Sequence, residues 1–451
     1  MASARGDMNG ERFGTLDFTH WCDVKPDALA LTHRGMGVSY GGLHRRIQRE
    51  RERLAGAGFG PGQRLAIVPE SSVESVSLLL AAVELRVCLV LIHPALSERD
   101  QKQRARSAGA RFLYEGSPAQ PVAGEDTFTV LFTSGTSGEP KRVRLSRSAV
   151  AAALDASAKR LGWQDGDRWG LFLPPAHIGG LSVLLRCLRA GRTVVLGDNS
   201  KALPTVCAME RVTLLSLVPT QLHRLLEAGV RLPASVRAIL VGGARLPAKL
   251  RERALEHGYP IYPTYGMTET CAQAATARPG EPGNGRLLDG LEGQVRDGEL
   301  WLRGPSLFDG YEGDAGLDRS SFDADGFFHT GDRAAFDADG HLEVMGRAGD
   351  TIITGGENVD PSEVERALLA TRGFEAVCVV GVPSEEWGEV VALLAVPKDG
   401  ARLPALVNAA ALPAYAKPRL IRVVDALPTT ALAKVKRATC RSLVLEESTP
   451  L

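Results

Sequence analysis

The sequence has no long hydrophobic run and no apolar segment at its start. Its longest apolar stretches, such as SVSLLLAAV, are far shorter than the roughly 20 residues that a membrane-spanning helix needs. The N-terminal residues MASARGDMNGERFG lack the apolar core of a secretory signal. We therefore expect a cytoplasmic protein without a membrane span.

Paired cysteines are also lacking. The seven cysteines are scattered singly, form no C-x-x-C pair and are odd in number, which argues against a disulfide framework or a zinc site. We expect reduced, mostly buried thiols. Cys271 directly follows one of the motifs described below, and we expect it to pack rather than to act as a nucleophile.

The chain carries no excess of charge, because 53 Lys and Arg residues balance 53 Asp and Glu residues. No overall electrostatic field then favours nucleic acid or an anionic membrane, so recognition depends on local sites. The length of 451 residues, with 44% hydrophobic and 24% charged residues, predicts a globular protein of two or three domains.

Helical and strand patterns alternate from about residue 40. GLHRRIQRERERLAGAG predicts an amphipathic helix and RLAIV a strand, and SVESVSLLLAAVELR and VCLVLI repeat that pair. This alternation continues to RAILVGG and predicts an α/β fold of parallel sheets covered by helices. Ligands are expected at the carboxyl ends of the strands.

The pattern changes near residue 285 to short strands separated by Gly and Asp, which indicates a small β-rich subdomain. Beyond residue 350 the pattern predicts a compact α+β unit, with PSEVERALLATRG as a helix begun by Asp360 and Pro361. We place the domain boundary in GRAGD, giving a large N-terminal domain of residues 1–347 and a small C-terminal domain of residues 348–451.

The segment VLFTSGTSGEPKRVRLS, residues 130–146, combines a strand-like run with small polar residues and a lysine. Glycines let backbone N–H groups approach a ligand, hydroxyls add donors and lysine adds a cation, so the segment is suited to polyphosphate. It is not a Walker P-loop, because Glu139 and Pro140 separate Gly138 from Lys141. Taken alone, it also fits an ordinary surface loop.

Four further segments combine polar groups with special backbone: YGMTETCAQ (265–273), HTGD (329–332), GRAGDTIITGGENVDPSEVE (346–365) and LPTTALAKVKR (427–437). Each alone has an ordinary explanation, such as a turn for TGD or a solvated basic helix face for the last. Their joint order resembles the adenylate-forming superfamily of acyl-CoA synthetases, adenylation domains and luciferases, over nearly the whole chain.

The resemblance implies a two-step reaction with ATP, Mg²⁺ and CoA, in which a carboxylic acid forms an acyl-AMP and a thiol then displaces AMP. It assigns the β- and γ-phosphates to a loop of Thr133, Ser134, Gly135, Thr136, Ser137, Gly138 and Lys141. It assigns adenine to Tyr265, Gly243 and Ala244, the α-phosphate to Thr268, Mg²⁺ to Glu269, and the ribose to Asp332 assisted by Arg347. Gly266 is also assigned to ATP binding.

The resemblance also implies a catalytic lysine that acts only in adenylate formation. Lys434 occupies that place, although Ala433 departs from the Gly usual in the family, and Lys436 is the alternative. Gly349 aligns with the hinge about which the C-terminal domain moves to bring GGEN to the site for the thioester step. Glycine supplies the backbone freedom that a hinge requires.

One segment bears on which acid the protein binds, FLPPAHIGGLSVLLRCLRAG. In the resemblance, its His177 stands where amino-acid-activating relatives carry an Asp. An amino acid is therefore disfavoured. The segment, with YGMTETCAQ and the compact length, resembles the o-succinylbenzoate:CoA ligases of menaquinone biosynthesis. Such a substrate has a second carboxylate. His177 could equally be a core residue, and the candidates to meet that carboxylate are Arg186, Arg189, Ser182 and the backbone of Gly179 and Gly180.

Other functions remain open. The chain could be another aryl- or fatty-acid:CoA ligase, or, as Ala433 suggests, a non-catalytic nucleotide-binding relative, which the intact Glu269, Asp332 and Lys434 argue against. A carrier protein could accept the acyl group, although free CoA is preferred. We expect small-molecule partners, no nucleic acid, and leave a homo-oligomer open.

Overall fold

The structure is a computed structural model that describes residues 16, 18–115, 126–133, 140–197, 200–313, 320–350, 352–354, 357–384, 387–430 and 434–450. The chain divides into two compact units. The first comprises Met1–Gln294, Trp301–His329 and Phe336–Glu343, and the second comprises Val295–Leu300, Thr330–Ala335 and Val344–Leu451. The domain boundary between residues 347 and 348 stays a prediction.

The helices of the described residues are α1 (His20–Val24), α2 (Tyr40–Gly56), α3 (Val73–Glu84), α4 (Glu98–Ser107), α5 (Arg147–Leu161), α6 (Ile178–Arg189), α7 (Leu203–Met209), α8 (Pro219–Glu227), α9 (Ala248–Glu256), α10 (Pro361–Ala370), α11 (Leu403–Ala409) and α12 (Arg437–Glu446). None of them is long and apolar enough to cross a membrane.

Side-chain caps fix where several helices begin. Ser39, Ser72, Ser97 and Ser146 each accept a hydrogen bond from the backbone N–H three residues on, at the starts of α2, α3, α4 and α5. Asp360 caps α10 by accepting from the Ser362 N–H, as predicted. Each cap satisfies a backbone donor that has no partner within the helix.

The strands are β1 (Leu29–His33), β2 (Met36–Ser39), β3 (Arg64–Ile67), β4 (Cys88–Leu91), β5 (Thr127–Thr133), β6 (Lys141–Ser146), β7 (Arg168–Leu171), β8 (Thr193–Leu196), β9 (Leu214–Leu217), β10 (Ala238–Val241), β11 (Ile261–Tyr265), β12 (Ala275–Thr276), β13 (Arg286–Leu287), β14 (Glu292–Arg296), β15 (Glu299–Arg303), β16 (Gly310–Glu312), β17 (Phe328–Phe336), β18 (Leu342–Arg347), β19 (Ile352–Thr354), β20 (Glu357–Val359), β21 (Phe374–Ser384), β22 (Gly388–Pro397), β23 (Leu420–Val423) and β24 (Thr449–Pro450).

A nine-stranded sheet has the order β13-β12-β11-β10-β9-β7-β8-β1-β2. The six strands from β11 to β1 in this order pair in parallel, for example Ile239 of β10 with Ile261 of β11. Every residue of β9 and β10 is buried, which explains why these strands are apolar except for Ser216. Leu222 of α8 and Leu250 of α9 pack on this sheet in one hydrophobic core.

A five-stranded sheet has the order β16-β6-β5-β4-β3. The strands β3, β4 and β5 are parallel, whereas β6 returns antiparallel to β5, with Lys141 opposite Thr133. The edge strand β16 pairs antiparallel with β6 and places Tyr311 opposite Val143. A separate four-stranded sheet has the order β14-β15-β17-β18.

The second unit is built on a six-stranded sheet in which β22 pairs with both β21 and β23. Alternate residues of β21 enter different cores. Val377 and Val379 pack in a core with residues of α10 and α11, whereas Cys378 and Val380 pack in a core with residues of α12. The two-residue period of a strand thus lets one sheet bury helices on both faces.

The α/β fold class predicted from the sequence is confirmed, with a larger first unit and a smaller second one. All seven cysteines are free and buried, as expected. Burial raises the pKa of the Cys271 thiol, which is consistent with a packing role.

Candidate active site

Two predicted adenine-binding segments lie at adjacent strand ends. The strand β10 ends at Val241 and is followed by Gly242, Gly243 and Ala244, while the neighbouring parallel strand β11 ends at Tyr265. A Cβ on Gly242 would overlap the Thr264 hydroxyl, and Gly243 has a φ of +78°. The two glycines therefore let the turn expose its backbone beside the end of β11.

The turn after β11 is a tight one. A Cβ on Gly266 would overlap the Ala272 carbonyl oxygen, so glycine is needed for the chain to return on itself. Residues Thr268–Thr270 form a single 3₁₀ turn, which is held by a 3.0 Å hydrogen bond from the Met267 N–H to the Thr270 hydroxyl. This turn fixes the predicted residues Thr268 and Glu269 on one short rigid element.

The carboxylate of Glu269 is buried, with 8% of the residue exposed. Its Oε1 accepts a 2.8 Å hydrogen bond from the Tyr311 hydroxyl, and its backbone carbonyl accepts from the Phe308 N–H at 2.9 Å. Its Oε2 accepts no hydrogen bond from the described residues. A carboxylate oxygen so placed fits a Mg²⁺ ion, which prefers oxygen ligands.

Sequence reasoning missed Tyr311. Its ring also lies beside Lys141, whose Nζ is 4.9 Å from the ring centroid. Lys141, Tyr311 and Glu269 thus form one cluster, which we call the charge cluster. An aromatic residue between Gly310 and Gly313 in DGYEG was the available signal.

The predicted phosphate loop is described only at its ends. Thr133 ends β5 and Lys141 begins β6, and the two residues are cross-strand partners. Ser134, Gly135, Thr136, Ser137 and Gly138 lie outside the described residues. The two described ends of the loop are therefore paired on antiparallel strands, and one of them, Lys141, belongs to the charge cluster.

The two predicted ribose residues are brought together. Asp332 of β17 is 6% exposed, and its Oδ1 lies 3.0 Å from the Arg347 Nε. The Arg347 guanidinium also donates to the Thr330 carbonyl at 2.7 Å, and the Thr330 hydroxyl accepts from the Asp332 N–H. The carboxylate is thus held at a defined position between neighbouring strands.

The predicted catalytic lysine, Lys434, is exposed and belongs to the second unit. The Thr430 N–H donates to the Lys434 carbonyl at 2.7 Å, the Lys434 N–H donates to the Thr430 hydroxyl, and the Lys436 N–H donates to the Pro428 carbonyl at 2.8 Å. These bonds close the base of the loop. Ala433 lies outside the described residues.

Arg437, which begins α12, joins the base of this loop to the predicted hinge. Its guanidinium donates to Glu365 of α10 and to the Val379 carbonyl, and it lies 3.2 Å from Asp350, the residue after Gly349. Burial alone would lower the pKa of Arg437, but Glu365 and Asp350 raise it. A Cβ on Gly349 would meet no atom within 4 Å, and Gly355 and Gly356 lie outside the described residues.

The predicted acid-binding segment forms α6 and the turn before it. The ring of His177 lies 4.8 Å from that of His93, whose pKa is lowered by burial and by the Arg104 cation. A Cβ on Gly180 would overlap the Pro174 carbonyl, and the Ser182 hydroxyl donates to Gly179. Gly180 and Ser182 therefore have packing and helix-bonding roles of their own.

The two arginines of α6 have different surroundings. Arg189 forms two hydrogen bonds with Asp155, at 2.8 and 2.9 Å. Arg186 is 5% exposed and lies over the Trp169 ring at 5.5 Å, with no carboxylate partner among the described residues. Burial lowers the pKa of Arg186 to about 10, which leaves it charged at neutral pH.

Comparison with known proteins identifies the family. The AMP-binding enzyme family matches residues 18–121 and 114–312, and its C-terminal domain matches residues 363–434. The chain therefore belongs to the AMP-binding enzyme family. The resemblance to adenylate-forming enzymes that the five motifs predict is confirmed.

The similarity extends to a particular branch. A 2-succinylbenzoate-CoA ligase of Bacillus subtilis is 32% identical over 92% of this chain and 95% of its own. The solved structure of the o-succinylbenzoate CoA synthetase MenE of Bacillus subtilis with the acyl-adenylate OSB-AMP has a TM-score of 0.86 at 30% identity, covering 94% of this chain and 97% of that one. Its structure with ATP and magnesium ion has a TM-score of 0.84 at 30% identity, covering 95% and 98%.

We predict that Gly266→Ala distorts the turn that carries Thr268 and Glu269, because the new methyl group would overlap the Ala272 carbonyl. The variant should lose about 1–3 kcal/mol of unfolding free energy and bind ATP more weakly, as measured by urea denaturation and calorimetry. Gly60→Ala is the control, since its Cβ would meet no atom within 4 Å. Unchanged ATP binding by Gly266→Ala would contradict the assignment of this turn.

Proposed function

We propose that this chain is an ATP-dependent acid:CoA ligase that converts o-succinylbenzoate to o-succinylbenzoyl-CoA in menaquinone biosynthesis. The observation that carries the proposal is similarity to 2-succinylbenzoate-CoA ligases over more than nine tenths of both chains. The cytoplasmic location stays a prediction, and a homo-oligomer stays open.

In the first step, a carboxylate oxygen of the acid attacks the α-phosphorus of ATP, and the bond to the β-phosphate breaks to release pyrophosphate. Lys141 contacts the β- and γ-phosphates, which leave as pyrophosphate, and Thr268 contacts the α-phosphate. Glu269 would hold Mg²⁺, which neutralises charge on the phosphate oxygens when bound. The contribution of these residues is fixed electrostatic stabilisation rather than covalent chemistry.

We assign the nucleoside to residues that each unit holds in place separately. Tyr265, Gly243 and Ala244 receive the adenine. Asp332 accepts hydrogen bonds from the ribose hydroxyls, and Arg347 keeps the Asp332 carboxylate in place through its 3.0 Å contact. Such positioning contributes to rate because the reacting groups lose little further freedom in the transition state.

Lys434 places its ammonium between the acid carboxylate and the α-phosphate in the first step. In the second step, the sulfur of CoA attacks the acyl carbon, the carbon–oxygen bond to AMP breaks, and the thiol proton is released. A rotation of the second unit at Gly349 separates the two steps, so Lys434 serves only the first.

The contacts of the α6 arginines favour an acid with a second carboxylate. Arg189 is already paired with Asp155, whereas Arg186 is a buried cation without a carboxylate partner among the described residues. A buried, unpaired charge is costly, so a protein keeps one where an anion completes it. We assign Arg186 to the second carboxylate of the substrate.

An acid panel tests the proposed function. We expect purified protein with Mg²⁺-ATP and CoA to release AMP with strong preference for o-succinylbenzoate over benzoates, medium-chain fatty acids and amino acids. Preference for another acid would support an acid:CoA ligase but reject its assignment to menaquinone biosynthesis. No AMP release with any acid would favour a non-catalytic nucleotide-binding relative.

We predict that Arg186→Gln raises the KM for o-succinylbenzoate about 10- to 100-fold, because a charge-assisted hydrogen bond is lost. Turnover of benzoate, which has one carboxylate, should change little. Arg189→Gln is the matched control, because Arg189 lies on the same helix and bonds Asp155. An equal loss with both acids would show that Arg186 acts on folding and not on the second carboxylate.

We predict that Lys434→Ala abolishes formation of the acyl-AMP but leaves thioester formation from supplied acyl-AMP nearly unchanged. The two half-reactions are measured separately, by pyrophosphate release and by acyl-CoA formation. Lys436→Ala is the control from the same loop and should spare both. Equal loss of both half-reactions in Lys434→Ala would reject the role given to Lys434.

A further inference from the structure

We propose that Tyr311 is a positioning residue that separates the two opposite charges of the charge cluster. The Tyr311 hydroxyl bonds one carboxylate oxygen of Glu269, which leaves the other oxygen of Glu269 available to the metal. The Tyr311 ring faces Lys141, which leaves the Lys141 ammonium available to phosphate. The inference rests on the proposed function only in that Glu269 and Lys141 serve the nucleotide.

The first observation is that each charge contacts a different part of one side chain. The hydroxyl donates to Glu269 Oε1 at 2.8 Å, and the Lys141 Nζ lies 4.9 Å from the ring centroid. No ion pair joins Lys141 to Glu269 in the described structure. Opposite charges attract in a partly buried site, and Tyr311 is the residue that contacts both of these.

Tyrosine has the chemistry for both contacts. Its ring face carries negative electrostatic potential and attracts an ammonium ion, while its hydroxyl donates to a carboxylate. A direct bridge would leave neither group available to a metal-nucleotide complex. Phenylalanine could make only the first contact, and leucine could make neither.

The position of Tyr311 is fixed by its surroundings. The residue is buried, its ring packs edge-to-face on Phe308 at 4.8 Å, and Phe308 itself donates to the Glu269 carbonyl. The next residue, Glu312, forms two hydrogen bonds with Arg64, at 2.7 and 3.0 Å. Tyr311 is therefore held in place before any ligand binds, as a positioning residue must be.

The test measures equilibrium binding of a non-hydrolysable ATP analogue, α,β-methylene-ATP, by calorimetry across a range of Mg²⁺ concentrations and in EDTA. In Tyr311→Phe, the Mg²⁺ concentration for half-maximal tight binding should rise about two- to tenfold, because one hydrogen bond to Glu269 is lost. Binding in EDTA should stay unchanged. In Tyr311→Leu, binding in EDTA should weaken as well, because Lys141 pairs with Glu269.

Tyr259→Phe is the matched control, because Tyr259 is also buried and its hydroxyl donates to the Val230 carbonyl at 2.6 Å. This variant should keep the Mg²⁺ dependence of the unmodified protein. A Tyr311→Phe variant that keeps the normal Mg²⁺ dependence, or that loses binding equally in EDTA and in Mg²⁺, would overturn the inference about Tyr311 and leave the proposed function standing. Unmodified protein that binds no nucleotide would overturn the proposed function together with it.

Discussion

Parallel strand pairing is the constraint on which the proposed nucleotide site depends. Because β7, β9, β10 and β11 run in one direction, their carboxyl ends meet at one edge of the nine-stranded sheet. The turns that leave those ends are built from Gly242, Gly243 and Gly266, whose missing side chains let backbone approach backbone. The parallel direction of the strands thus sets where the turns lie, and the glycines set how closely the backbone of each turn approaches its neighbours.

The polar residues of this protein differ in how their charges are balanced. Arg189 and Arg437 are compensated by carboxylates of the protein itself, and such pairs hold elements together. Arg186 and Lys141 instead face aromatic rings, Trp169 and Tyr311. An aromatic face attracts a cation weakly and keeps it available, whereas a carboxylate saturates it. This difference separates Arg189 and Arg437, which support the fold, from Arg186 and Lys141, which are suited to bind anions.

Sequence reasoning was most accurate where local pattern and tertiary burial agree, as in β9, β10 and the Asp360 cap of α10. It missed β6, in which Arg142 and Arg144 alternate with buried residues, and α4, which buries only Ala105. It could not separate Arg186 from Arg189, because Asp155 lies 34 residues away from the arginine it pairs with. Tyr311 and Glu269, 42 residues apart, meet only in the folded chain.

The guanidinium of Arg437 has a mechanical consequence. It ties Asp350, at the start of the second unit's sheet, to α10 and to the segment that carries Lys434. With Gly349 as the proposed hinge, the arm between it and Lys434 is therefore braced by Arg437. A small rotation there would sweep Lys434 through a defined arc, and the length of this arm would set how far the ammonium travels.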